Sequence, residues 1–281
     1  MTPTAATTTV VTTTRSARDQ TRIDLACALR QAHRMGLAEG VCNHFSVAVP
    51  DSNEHFFINP QGLLWSEIRA ADIVMVDIDG KIVEGDHFVE PTAFFIHSRI
   101  HRARPDARCI LHAHMPFATS LTLLEDPTLE PASQNALKFY GRTAYDTVYN
   151  GLALDNVEGD RMVSALGDAD ILFLANHGVL VCGQSVAWAF DDLYYLERAC
   201  MLQVLAASTG KAIKPVTSSV AVATAHAMVA DEQRLQSELF FGSLARQLDR
   251  EDPLWASLDA PNPRVLKRDP LRLPPLDRLL R

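Results

Sequence analysis

No stretch of the chain comes near the roughly 18 consecutive apolar residues that a membrane-spanning helix needs, so no membrane association is expected. A basic stripe is missing too. Its 26 lysines and arginines stand against 34 aspartates and glutamates, a net charge of −8, which argues against a nucleic-acid partner. The five cysteines (Cys27, Cys42, Cys109, Cys182 and Cys200) are odd in number and scattered, with no CxxC pair. This is the pattern of reduced, mostly buried thiols and a cytoplasmic setting. No internal repeat is visible. The N-terminal MTPTAATTTVVTTT lacks a basic region followed by a long apolar one, so residues 1–15 read as a disordered tail and not as a signal peptide. The remainder, within a chain that is 47% hydrophobic and 21% charged, has the make-up of a soluble globular protein.

Residues 16–250 carry the periodicities of one domain. Ile23, Ala26, Leu29 and Ala32 recur at helical spacing from Ser16 to about Met35, and Gly36 stops the pattern. FSVAVP and HFFINP are short strands around the polar turn DSNE, and IVMVDIDGKIVEG reads as two strands around an Asp-Gly turn. Pro91 opens a helix that Pro105 ends, and a further helix runs from Pro116 to about Leu124. DADILFLANHGVLVCG reads as strand, turn and strand, followed by a long helix from Ser185 to Ser208. Strands and helices mix without strict βαβ alternation, which predicts an α/β domain on a largely antiparallel sheet. Residues 251–281, rich in proline and charge, read as a peripheral arm.

The chemistry-bearing residues are histidines. In RCILHAHMPFA an apolar run ends in His112 and His114, which alternation places on one face of a strand, roughly 7 Å apart. Two imidazoles so placed can grip a divalent metal, or can simply be polar side chains at a strand end. His177, just before Gly178 in an apolar hairpin, is either a satisfied turn residue or a ring projecting into a cleft. With His112 and His114 it would complete a three-imidazole set with an open coordination position.

The order GLAEG, NHFSV, INPQG, PTAFFIH, RPDARCILHAH, LANHG, GQS and LERA, from about residue 20 to 210, resembles the class II aldolase/adducin family. The resemblance implies a three-layer α/β/α sandwich with a central antiparallel sheet, assembled as a cyclic homotetramer with its sites between subunits. It also implies one divalent metal per subunit, held by His112, His114 and His177. Family aldolases that act on sugar phosphates carry a glutamate as acid/base four residues before the helical histidine. Here Ala93 stands four before His97, and an alanine cannot move a proton. Their glycine–asparagine pair is replaced by Asn43–His44, and the phosphate loop survives only as INPQG, residues 58–62.

Without that glutamate an activated histidine or a metal-bound group must handle protons. His44 falls where a family substrate-site residue lies, beside Asn43; His97 is either a second general acid or a helix residue fixing a loop. Lys138, Tyr140 and Arg142 form a candidate binding set for a small anionic substrate, or a solvated loop. Glu90 replaces the lost carboxylate or, more simply, stabilises a helix N-terminus. His33, His55, His87, His101 and His226 read as surface or helix-end residues. The PTAFFIH segment is similar to that of family decarboxylases of hydroxylated aromatic or pyridine dicarboxylates, enzymes of aromatic-compound catabolism. Their reaction removes no substrate proton from carbon, so it tolerates the missing glutamate. The expected function is therefore a metal-dependent lyase of that kind, with zinc, manganese or iron as the ion. The alternatives are a retro-aldol lyase on an unphosphorylated hydroxy acid, an iron-dependent oxidative decarboxylase, and a non-catalytic adducin-like scaffold.

Overall fold

The chain forms eight short strands: β1 (His44–Ala48), β2 (His55–Ile58), β3 (Val74–Asp77), β4 (Ile82–Glu84), β5 (Cys109–Ala113), β6 (Thr143–Asp146), β7 (Ile171–Leu174) and β8 (Gly178–Gly183). They form one sheet in the order β4-β3-β2-β1-β5-β8-β7-β6. Every neighbouring pair is antiparallel except β6 and β7, which run parallel. The structure, a computed structural model, describes residues 15–263; the tail at 1–14 and the arm from 264 onward lie outside the described residues.

Helices α1 (Ala17–Arg34), α2 (Pro91–Ala103), α3 (Pro116–Thr122), α4 (Gln134–Leu137), α5 (Asn156–Leu166), α6 (Val186–Ala207), α7 (Ser218–Met228) and α8 (Asp231–Glu251) complete the domain. Their starts follow from side-chain caps that satisfy otherwise orphaned backbone donors. Ser16 accepts from Asp19 N, Glu90 from Ala93 N, Asp155 from Glu158 N and Ser185 from Trp188 N.

Strand alternation sorts the side chains into two layers. Phe45, Val47, Cys109, Leu111, Val179 and Val181 share one core with Leu25 and Leu29 of α1 and Phe190, Leu193 and Leu196 of α6. On the other face Ile110, Leu172, Leu180 and Cys182 pack with Ile96 and Ile100 of α2 and Met162 and Leu166 of α5. The result is the expected α/β/α sandwich. Each fully buried Leu, Ile or Phe gains about 1.5–3 kcal/mol from leaving water. With both faces buried, a one-residue slip would exchange every side chain between layers, so the register is firmly specified. That register aims the polar residues His44, Ser46 and His112 at the α2 side.

Two elements depart from the sequence reading. Residues 143–146, to which the sequence reading assigns no element, form edge strand β6, whose mixed TAYD carries no alternation strong enough to announce it. The first part of the arm is not peripheral. Ala70 N donates to Trp255 O (3.0 Å), Ala71 N donates to Ser257 O (2.9 Å), and Trp255 is buried in the main core.

Candidate active site with a three-histidine metal centre

His112 lies in β5, His114 directly after it, and His177 in the tight turn between β7 and β8. Because β5 and β8 are neighbours, residues more than sixty apart in sequence meet at one end of the sheet. The ring centroids of His112 and His114 are 4.9 Å apart, and His177 is 4.7 Å from the first and 4.8 Å from the second. One ligand nitrogen from each of the three lies within 4.8 Å of the others. The turn depends on Gly178, where a Cβ would sit 2.7 Å from His114 Cδ2 and 2.8 Å from Ala113 O. Glu197 of α6 holds the adjoining segment, since its carboxylate accepts from Phe117 N (2.9 Å) and Ala118 N (2.8 Å) at the start of α3.

The tautomers fit a metal ion. The Nδ1–H of His112 donates to Val179 O at 3.0 Å, and that of His114 donates to the Glu39 carboxylate at 2.5 Å. Each ring is then left with a lone pair on Nε2, and these two nitrogens face one another at 3.1 Å. Two lone pairs at that distance repel unless a cation lies between them. Ligands about 2.1 Å from one ion, at an angle of about 95°, stand about 3.1 Å apart, so the separation suits a shared metal. Burial, and then neighbouring imidazoles, hold His112 well below the usual imidazole range. Burial and His114 push His177 down to about 4. Both rings are therefore neutral at physiological pH, the form in which an imidazole can bind a metal.

His44 pairs across the sheet with His112, so their rings stack at 4.7 Å. Burial, reinforced by His177 and His114, lowers its pKa to about 3. Its Nδ1 lies 2.7 Å from His97 Nε2. His97 is wholly buried and does not line the cavity, so its expected role as a second proton donor to substrate is corrected: it stands behind His44. Its Nδ1 is 2.5 Å from Ser46 Oγ, which in turn is 2.8 Å from His101 Nε2. His101, read from sequence as a surface or helix-end residue, is therefore buried in this cluster. The signal was present in its i,i+4 spacing from His97 on α2 and in the i,i+2 spacing of His44 and Ser46 on β1.

The histidines border a cavity of about 460 Å³, a size suited to a small organic molecule. Polar lining comes from Asn43, Asn59, Gln61, Glu90, Thr92 and Tyr149, and apolar lining includes Val41, Ala93, Ile96 and Leu152. Asn43 has a left-handed backbone (φ 74°), and its Oδ1 accepts from His114 N at 3.2 Å. Its Nδ2 is buried without a partner, a donor free for a ligand. Ala93 lies in the wall where a glutamate would have reached the site. Glu90 is the one acidic lining residue among the described residues, and its Oε2 is occupied capping α2 (Ala93 N at 2.9 Å) and accepting from the Thr92 hydroxyl.

Lys138, Tyr140 and Arg142 do not line this cavity, which corrects their expected substrate contacts within the chain. Lys138 is buried against Asp191 and Asp192; Arg142 pairs with Asp170 and Asp192, each at 2.7 Å. These ion pairs tie α4 and the start of β6 to α6, a use of paired charge that the sequence pattern did not distinguish from anion binding.

Residues 23–204 match the family described as class II aldolase and adducin N-terminal domain. A protein of Pseudomonas aeruginosa assigned to aldolase class 2 is 35% identical over 239 residues, covering 83% of this chain and 91% of its own. Rat alpha-adducin is 37% identical over 187 residues, which are 65% of this chain but only 25% of the adducin. Among solved structures, an aldolase II superfamily protein from Pseudomonas syringae superposes with a TM-score of 0.80 at 35% identity, covering 87% of this chain and 98% of its own. An L-fuculose 1-phosphate aldolase from Glaciozyma antarctica shares the fold, with a TM-score of 0.76 at 24% identity, over 87% of this chain and 96% of its own. This chain belongs to the class II aldolase and adducin N-terminal domain family.

Proposed function

We propose that this protein is a divalent-metal-dependent carbon–carbon lyase that decarboxylates a hydroxylated aromatic or pyridine carboxylate. The observation that carries the reading is the wall of the cavity: three converging imidazoles with an imidazole, His44, beside them, and an alanine where a proton-moving glutamate would stand. His112, His114 and His177 would hold the ion. When bound, it supplies Lewis-acid stabilisation of the negative charge that builds up as the carboxylate carbon leaves. Asn43 Nδ2 offers a hydrogen bond to a substrate oxygen. Ile96 and Ala93 give the cavity a buried apolar wall, and His44 returns one proton to the carbon that has lost carbon dioxide.

No lysine or arginine lines the cavity among the described residues, so an anionic substrate relies on amide donors and the ion. Val41, Tyr149 and Leu152 are exposed at the cavity and suit cover by a neighbouring subunit, as in the cyclic tetramer that the family resemblance implies. The scaffold reading is favoured by the likeness to adducin, but a scaffold needs neither converging lone pairs nor a free amide donor in a cavity.

The test is carbon dioxide release from a panel of hydroxy-aromatic and hydroxypyridine carboxylates, by zinc- or manganese-loaded protein without oxygen. Ala93→Glu should not accelerate that release. Cleavage of hydroxy acids to carbonyl products would favour retro-aldol chemistry instead, and an absolute oxygen requirement with iron would favour the oxidative alternative. Inertness of the metal-loaded protein on all these substrates would leave the scaffold as the better reading.

A further inference from the structure

Glu90 enters the cavity wall as the N-cap of α2, and the cap fixes which of its two carboxylate oxygens is spent. Oε2 accepts from Ala93 N at 2.9 Å and from the Thr92 hydroxyl. Pro91, at the first helical position, fixes the backbone angle there, and Phe94 N donates to the Glu90 carbonyl at 3.1 Å. Among the described residues Oε1 has no hydrogen-bond partner, and no cation pairs with the carboxylate. A carboxylate oxygen has lone pairs to satisfy, so Oε1 is an acceptor held in place on a residue that borders the cavity.

The wall relates this acceptor to the metal centre. Glu90, Ala93 and Ile96 recur at every third residue, so one face of α2 borders the cavity from its cap inward. Ala93 and Ile96 are each only 1% exposed and give that face an apolar middle. Directly after Ile96 comes His97, whose Nε2 is 2.7 Å from Nδ1 of His44, the imidazole stacked on His112. Six residues from Glu90 to Ile96, at a rise of 1.5 Å each, put the acid about 9 Å along the helix from the imidazole end. A six-membered ring with a hydrogen-bonded substituent at each end fits that span.

The two ends make opposite demands. Asn43 Nδ2 and a metal on the imidazoles take substrate oxygens as acceptors, whereas Glu90 takes a hydrogen donor. No lysine or arginine lines the cavity among the described residues, so a second carboxylate near Glu90 would meet a like charge with no cation to offset it. We infer that Glu90 determines specificity: its Oε1 accepts a hydrogen bond from a hydroxyl or N–H at the end of the substrate remote from the metal, and its charge excludes a second carboxylate there. The inference rests on the lyase reading and narrows its substrates to monocarboxylates with a donor group across the ring.

Glu90→Gln inverts this preference without moving the wall. Ala93 N–H needs an acceptor, and a glutamine has one, so its oxygen takes the place of Oε2 and its NH₂ group takes the place of Oε1. The test is calorimetric titration of the full-length, zinc-loaded protein and of its Glu90→Gln variant. The probes are salicylate, 2,4- and 2,5-dihydroxybenzoate, and the two analogues with a carboxylate in place of the second hydroxyl. The parent should bind the better dihydroxybenzoate at least about 10-fold tighter than salicylate, and both dicarboxylates at least about 10-fold weaker. In Glu90→Gln the order should reverse, with a dicarboxylate binding tighter than its dihydroxy counterpart, while zinc content and the urea midpoint stay at the parent values. A parent that binds dicarboxylates as tightly as dihydroxybenzoates overturns the inference. So does a folded variant that keeps the parent's order, or a parent that binds none of the probes. Carbon dioxide is assayed separately on the same samples, so the lyase reading can fail with the binding order intact, and the order can fail with carbon dioxide release intact.

Discussion

Acidifying the metal-stripped protein should unfold it well above the pH at which its carboxylates protonate, because the domain buries imidazoles that must stay neutral. In the unfolded chain His44, His101 and His177 titrate near 6.5; in the folded chain they are held at about 3, about 3 and about 4. A group whose folded pKa is depressed contributes stability above its unfolded pKa, and this is lost as the pH falls through the window between the two values. From pH 6.5 down to about 4 the unfolded state binds up to three more protons at these sites. The stability slope therefore reaches about 4 kcal/mol per pH unit, from about 1.4 per group. Integrated from pH 6.5 to 5.0 the loss is about 5 kcal/mol, a large share of the 5–15 kcal/mol available to a typical domain. Urea unfolding followed by circular dichroism at closely spaced pH values measures it. His101→Gln should remove about one proton from the slope. A stability that stays flat between pH 6.5 and 5.0 would refute the reasoning, since it would mean that these rings protonate inside the fold.

Other substitutions probe the supports of the site. Gly178→Ala places a methyl 2.7 Å from His114 Cδ2, so bound metal should fall steeply while the protein stays folded, at a cost of about 1–3 kcal/mol in urea. Glu39→Gln leaves an amide on His114 Nδ1 and should weaken metal affinity about 10–100-fold in a chelator competition. Arg142→Ala removes one of three cations around buried Asp192, which keeps Lys138 and Arg234, and should destabilise the fold by about 1–3 kcal/mol. If Arg142 is structural, the KM of the remaining folded protein is unchanged; a large rise in KM would restore it to substrate binding.

The antiparallel sheet and its main helices could be read because their signals are local, short apolar runs for β1, β2, β3, β5, β7 and β8 and capped apolar periodicity for α1, α2 and α6, whereas the three-layer stacking came from the family resemblance. The long helix expected from Ser185 to Ser208 is capped at those two residues. The clustering of His112, His114 and His177 was also legible, two by strand alternation and the third through the family pattern. What escaped was pairing at a distance. Sequence does not say that Lys138 and Arg142 find aspartates on α6, so they read as free cations. Nor does it say that the spacings His44–Ser46 and His97–His101 belong to facing elements, since each alone is an ordinary polar pattern. The burial of Trp255 was hidden by the prolines and charges around it.

The central claim is tested most directly by measuring bound metal in the purified protein and in its His112→Ala, His114→Ala and His177→Ala variants by elemental analysis, with folding checked in parallel. One divalent ion per chain is expected in the parent, with its near-complete loss in each folded variant. A parent that binds no divalent ion under metal-replete conditions would contradict it, as would variants that retain a full equivalent.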